Sequence, residues 1–413
     1  MTNALSNIEY LAAGSMAEEA AEAPKTLINA SLGRTEGSLR PKGLILTKEH
    51  IKDLYRYEQK GLQLPTAAEN VSVYLGYAEN FPPGKGLAVS DFVRTFSVIK
   101  AHASQWNGLR QRIKQISSEL KVFAGEIAIT HKYISHTLGS LTALKILDDL
   151  GIETLEDLKR VQAEMGDRFP HAELDPADAN RAKGIHYYLS QLLDEINAQA
   201  HQTSQLKKDL DGYASALANN VRPEISLRLV AIDNNDFKDD VIRLQSQINE
   251  LNKEIDEKSA SYKKIVNDSL TSASSLNVVG LGMAIYFGVE AEKVRKERNA
   301  LRRARDAKNN EMGKKSTVLK RLNDVKADMQ EIEYLTLQAD VATQNLVTVW
   351  NKLHLYLQAS LRNSKVINNA IQVCYIAFHF DKVVAPWALI LQDADELHAV
   401  WDEADAEIKH MTL

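Results

Sequence analysis

Four features of the chain carry residue types that do chemistry in other proteins: its histidines, its single cysteine and two glycine-containing turns. The 11 histidines offer no recognisable metal set. His131 and His136 stand five apart, off a shared helical face, and the HExxH pattern that puts two imidazoles one turn apart does not occur. Pro83-Gly84-Lys85-Gly86 has a lysine between glycines, as phosphate loops do. It lacks the earlier glycine and the hydroxyl residue after lysine, and reads as a turn. Gly280-Leu281-Gly282 is not a dinucleotide fingerprint, because Ile285 fills the third glycine position and no strand precedes it. Cys374 lies on an apolar helical face, where a buried thiol packs as a small hydrophobe. One cysteine also leaves no disulfide framework and no cysteine-based zinc site. No enzyme activity, metal or cofactor is expected from these residues.

The chemistry the chain does offer is amphiphilic. Ser269 to Val289 carries no charged residue, with Asp268 closing the window on one side and Glu290 on the other. A dense basic run follows, including Lys293, Arg295, Lys296, Arg298, Arg302, Arg303, Arg305 and Lys308. As one helix the window would reach about 31 Å, enough for the ~30 Å hydrocarbon core of a bilayer. Its first half is polar, however, with Ser269, Thr271, Ser272, Ser274, Ser275 and Asn277. Gly280, Gly282 and Gly288 supply backbone freedom and close helix contact, so they are the expected hinge. Three readings are open: a helix buried in the body, a transmembrane anchor, or a conditional membrane tip, which the serines and glycines favour. The basic run is either a solvated helical face or a lipid-headgroup contact worth ~1 kcal/mol per cation near an anionic surface.

The elements that must position this window are helices. Of 9 prolines, none falls between Pro83 and Pro170 or between Pro223 and Pro386, and no glycine follows Gly313. Trp106, Leu109, Ile113, Ile116, Leu120, Phe123 and Ile127 alternate at three and four residues, the spacing of a coiled-coil seam. Leu244, Ile248, Leu251, Ile255, Tyr262 and Ile265 repeat it up to the window, with Lys258 the polar intruder. Beyond the window, Leu322, Val325, Met329, Ile332, Leu346, Trp350, Leu353 and Leu357 continue a seam in a long return helix. Thr47 and Asp175 suit N-caps, with Pro176 at the first helical position, and Thr154 starts a short helix. A helix is expected from about Ala88 to Leu150, another from Pro176 until Asn219 to Pro223 stop it, and a last one after Pro386. Ile225 to Ile232 reads as a brief apolar piece, and Asp233 to Asp236 as the cap of the next helix.

The fold class is therefore all-α: an elongated rod, with a helical bundle and a long antiparallel coiled-coil stalk ending in an apolar tip. Four regions are expected. Residues 1–83 form short helices and loops, 84–235 the bundle body, 236–314 the hairpin with its tip at 269–289, and 315–413 the return and C-terminal helices. Net charge is slightly negative, from 50 basic and 55 acidic residues, which argues against bulk nucleic-acid binding. The first residues lack a charged segment followed by an apolar one, so release by a route other than a Sec-type signal is expected.

Long amphipathic helices around one serine- and glycine-containing apolar segment resemble the α-helical pore-forming toxins of the cytolysin A type. The chain length, the 269–289 window followed by Glu290-Ala-Glu-Lys-Val-Arg-Lys-Glu-Arg298, and the helices around Trp350 and Trp387 look more closely like the A component of binary xenorhabdolysin-type toxins. That resemblance implies a soluble monomer that associates with a distinct B subunit and assembles into a ring-shaped pore in a host membrane. It also implies membrane contact through Leu276, Val278, Val279, Leu281, Met283, Ile285, Tyr286, Phe287 and Val289, with Lys293, Arg295, Lys296 and Arg298 at the headgroups. Burying those nine apolar side chains at ~1.5 kcal/mol or more each exceeds ~13 kcal/mol before polar and ordering costs. The competing class is a coiled-coil scaffold or tether whose apolar segment packs internally.

Overall fold

The computed structural model describes residues 2–34, 41–75, 77, 85–142, 145, 149–169, 173–233, 239–273, 288–313, 316–365, 367 and 369–411. Among them the secondary structure is helical. The only β-pairing is one isolated bridge, Glu173 to Asn369. The helices are α1 (Thr2–Ser31), α2 (Lys48–Gln63), α3 (Ala68–Leu75), α4 (Val89–Ala103), α5 (Trp106–Gly139), α6 (Leu155–Met165) and α7 (Pro176–Ala216). After a π-turn at Leu217–Val221 come α8 (Arg222–Asp233), α9 (Asp239–Ala273), α10 (Gly288–Gly313), α11 (Thr317–Ser364) and α12 (Ala370–Met411).

The caps sit where hydroxyls and carboxylates can take up orphan N–H groups. Thr47 opens α2 with a capping box, its Oγ1 accepting from the His50 N–H at 3.4 Å. Thr154 opens α6 in the same way, accepting from the Asp157 N–H at 3.1 Å. Asp175 accepts from the Asp178 N–H at 2.7 Å ahead of Pro176. Thr47 and Asp175 were legible as caps from residue type, and Thr154 as the start of its helix. The expected cap over residues 233–236 lies largely outside the described residues.

Several expected breaks do not occur. Residues 2–31 form one helix through Pro24, and α12 runs unbroken through Pro386. A proline inside a helix costs ~3 kcal/mol through its missing N–H and its ring clash. In α12 the burial of Phe380, Val383, Trp387 and Ile390 outweighs that cost. Asn219 to Pro223 do not stop the helix either. The ladder widens for one turn, with the Arg222 N–H bonding the Leu217 carbonyl five residues back, and resumes as α8. The apolar piece at 225–232 is thus helical. Conversely, the helix expected from Ala88 breaks between Ala103 and Trp106.

The packing divides the chain into two units, each stitched from three distant segments: 1–29, 116–204 and 345–398, and 30–115, 205–344 and 399–413. This grouping cuts across the four consecutive regions expected from the sequence. In the first unit Phe123 meets Trp350 and Trp387 edge-on, with centroids at 5.0 and 4.8 Å. The Trp350 Nε1–H donates to Thr203 Oγ1 at 3.0 Å. Cys374 is buried in a neighbouring cluster with Leu158, Val161 and Phe169. In the second unit α2 approaches α4 so closely that a Cβ on Gly61 would lie 2.4 Å from that of Ala103. Nearby, the Tyr57 hydroxyl and the Tyr213 carbonyl hold the two nitrogens of buried His102 at 2.8 and 3.0 Å. All seven seam residues of α5, from Trp106 to Ile127, are buried.

Candidate functional site

Within the second unit, α9, α10 and the first part of α11 pack into a three-helix segment, and side-chain pairing fixes their directions. Gln245 and Asn323 exchange amide hydrogen bonds at 3.2 and 3.0 Å. Gln330 Nε2 donates to the Asn252 carbonyl at 3.2 Å and to Asp256 at 2.9 Å. Residue numbers rise together, so α9 and α11 are parallel. Arg298 and Arg305 on α10 both bond Gln330, while Asn309 bonds Asp324 at 2.7 Å. Those numbers run in opposite senses, so α10 is antiparallel to α11 and hence to α9. The chain from 274 to 287 therefore connects the end of one helix of an antiparallel pair to the start of the other.

The interior of this segment is polar to an unusual degree. Arg298 is fully buried. Its guanidinium bonds Glu331 at 2.7 Å, the Gln330 carbonyl at 3.0 Å and Ser259 Oγ at 3.0 Å, and lies 4.4 Å from the Tyr334 ring centroid. Arg302 reaches the same Glu331 carboxylate at 3.0 Å. Losing either partner of such a pair leaves an uncompensated buried charge, at about 3–5 kcal/mol. Among the described residues, neither the buried Asn252 side chain nor the buried Tyr334 hydroxyl finds a hydrogen-bond partner. Burial also pushes the Tyr334 phenol well above its ordinary range. Lys258, the polar intruder in the α9 seam, pairs with Glu297 on α10, whose carboxyl is thereby held below its usual value.

Of the residues expected at a membrane, Leu276, Val278, Val279, Leu281, Met283, Ile285, Tyr286 and Phe287 lie outside the described residues, as do the hinge residues Gly280 and Gly282. Gly288 and Val289 begin α10. Lys293 and Lys296 are exposed on the first turns of α10, and Arg295 is half-buried. Arg298 is a correction: it is an interior ion-pair residue here, not a cation offered to headgroups. Its partner Glu331 sits 33 residues away on another helix, so nothing local betrays it. A searchable signal did exist, because Arg298, Arg302, Arg305 and Asn309 repeat at four-three-four spacing, a seam written in polar residues.

The apolar window also has a competitor. By length and composition α12 is apolar enough to cross a membrane, and 61% of its apolar stretch is buried within the protein. Its heptad-like tryptophans explain that burial as core packing. Among the described residues no group of three or more histidine, cysteine, aspartate or glutamate side chains converges on a common point.

No protein-family model and no curated protein matches the chain. Solved structures do. The toxin component HblL1 of Bacillus cereus aligns over 88% of this chain and 96% of its own, at 14% identity and a TM-score of 0.52. SmhA, from the tripartite α-pore-forming toxin Smh of Serratia marcescens, aligns over 94% of both chains at 11% identity and a TM-score of 0.50. This chain shares their fold. It is also similar to YaxA from Yersinia enterocolitica at 25% identity, over 89% of this chain and all of that one, with a TM-score of 0.48.

Proposed function

We propose that this chain is the A-type subunit of a multicomponent pore-forming toxin. It binds a target membrane through the apolar residues between α9 and α10, associates with a distinct B subunit, and oligomerises into a ring-shaped pore. The observation that carries the reading is the joining of two consecutive antiparallel helices by a charge-free segment, with Lys293 and Lys296 exposed just beyond it. Apolar side chains at such a junction gain free energy in lipid, while the lysines stay at the anionic surface. The shared fold with two toxin components supports it.

The test is flotation of the full-length protein with phosphatidylcholine–phosphatidylserine–cholesterol vesicles, followed by dye release with and without a candidate B subunit. Leu281→Asp and Ile285→Asp should leave helicity and solubility unchanged and abolish flotation. Wild-type protein that never floats, or variants that unfold instead, would sink the proposal in favour of an internally packed scaffold.

A further inference from the structure

In the first unit, α12 buries a histidine that its surroundings keep from charging. His379 is 4% exposed, and among the described residues its ring nitrogens meet no hydrogen-bond partner. The backbone of α1 lies over one of them: a Cβ on Gly14 would stand 3.2 Å from Nε2. α6 faces the ring with Lys159 and Glu156. α12 itself adds Lys382 and the Tyr375 ring, whose centroid is 6.1 Å away. Glu156 is already held by Lys382 at 3.0 Å. Asp381, two residues along α12, is turned to His131 at 2.7 Å. No described side chain of α1 brings a charge to the ring, and Glu19 is turned to Lys352 at 2.6 Å. A proton on His379 would therefore add a positive charge beside two lysines, where it finds neither a free carboxylate nor more than a trace of solvent.

Of the elements around the ring, the cover over Nε2 is the most lightly held. From Gly14 to Ala23 the buried apolar residues of α1 are Ala17, Ala20 and Ala23. This stretch buries methyl groups where α12 buries Phe380, Val383 and Trp387. Pro24 follows inside the helix and lacks the N–H that would bond the Ala20 carbonyl. Helices bend where that bond is missing, so the part of α1 ahead of Pro24 can swing as one piece. An ion pair, Glu19 to Lys352, ties it to α11.

We propose that the part of α1 ahead of Pro24 is an acid-released cover on α12. Protonation of His379 beneath Gly14 drives this arm off, swinging about Pro24 and uncovering the face of α12 that carries the histidine. The sense of the switch follows from burial, which with help from Lys159 and Lys382 pushes the imidazole down to about 4. Once the arm has moved the ring meets water, and its pKa returns toward the ordinary value of about 6.5. The arm is thus fully held above pH 6.5, and its hold weakens as pH falls toward 4. The ratio of released to docked arm should rise about thirtyfold between pH 7.5 and 5.0. The switch and the pore reading stand independently of each other.

The test is hydrogen exchange of the full-length chain at pH 7.5 and 5.0, read peptide by peptide and corrected for the intrinsic effect of pH. Protection over residues 14–23 should fall about thirtyfold, through an opening with a smaller denaturant slope than that of peptides around Trp350 and Trp387. His379→Gln, neutral at both pH values, should abolish the fall. Lys159 is exposed, so Lys159→Gln leaves the core alone; it removes one of the charges that disfavour the imidazolium and should shrink the fall. An arm equally protected at both pH values overturns the inference. So does a fall that survives in His379→Gln, or one that carries the same slope as the tryptophan core. Should His379→Gln not fold, Lys159→Gln decides: a reduced fall supports the inference and an undiminished one overturns it.

Discussion

His379 is 4% exposed. Burial, with help from the ammonium groups of Lys159 and Lys382, pushes its imidazole down to about 4, against a smaller opposing pull from Glu156. The folded protein therefore holds it neutral, while the unfolded chain takes up a proton near the ordinary value of about 6.5. Its contribution to stability is complete above pH 6.5 and is lost as pH falls toward 4, by up to about 3 kcal/mol. Denaturant titrations at pH 7.5 and 4.5 should show that loss, and His379→Gln should shrink it; an unchanged difference would exclude this histidine as its source. His102 is depressed in the same direction, again mainly by burial. At this scale the sequence was a partial guide. It marked Cys374 as buried from its apolar neighbours. It misassigned Arg298, because a cation near an apolar window looks like a headgroup ligand until the carboxylate from a distant helix is known.

At the scale of elements, periodicity and caps were legible because both are local: the α5 seam and the threonine and aspartate caps lie in single stretches of chain. Tertiary packing decided the rest. Pro223 and Pro386 read as helix boundaries, yet one lies just at the start of α8 and the other inside α12. The π-turn at Leu217–Val221 is the most consequential case, since it lets α7 pass into α8 with one extra residue in the turn. Deleting Asn220 should convert it to an α-turn and, because the wide turn absorbs the extra residue, leave α8 in nearly its present phase. The Arg228–Asp91 and Glu224–Arg94 pairs should therefore survive, with Leu227 and Val230 still exposed. Thermal unfolding should move by no more than about 2 °C, the shift that ~2 kcal/mol produces in a chain of this size. A drop of about ten degrees or more would mean that the wide turn itself is needed to seat α8.

Across the whole molecule, each packing unit draws on three stretches of sequence, and α5, α7, α11 and α12 each supply residues to both. No linear division of the sequence could have shown this, since the grouping exists only once distant helices pair. The polar interior of α9, α10 and α11 has its own thermodynamic signature. Separating those helices would expose amide and guanidinium groups along with the hydrocarbon of residues such as Ile248, Ile255 and Ile332, and polar exposure lowers the heat capacity where apolar exposure raises it. Opening this segment alone exposes less surface than global unfolding, so it should carry a smaller denaturant slope, and a smaller heat-capacity change for its size than the tryptophan core. Native-state hydrogen exchange should find its amides opening as a separate low-slope group, apart from those around Trp350 and Trp387. A single exchange group with one common slope would rule that out. A protein built this way could loosen its helical pair in cold or warm water alike, without first having to melt its tryptophan core.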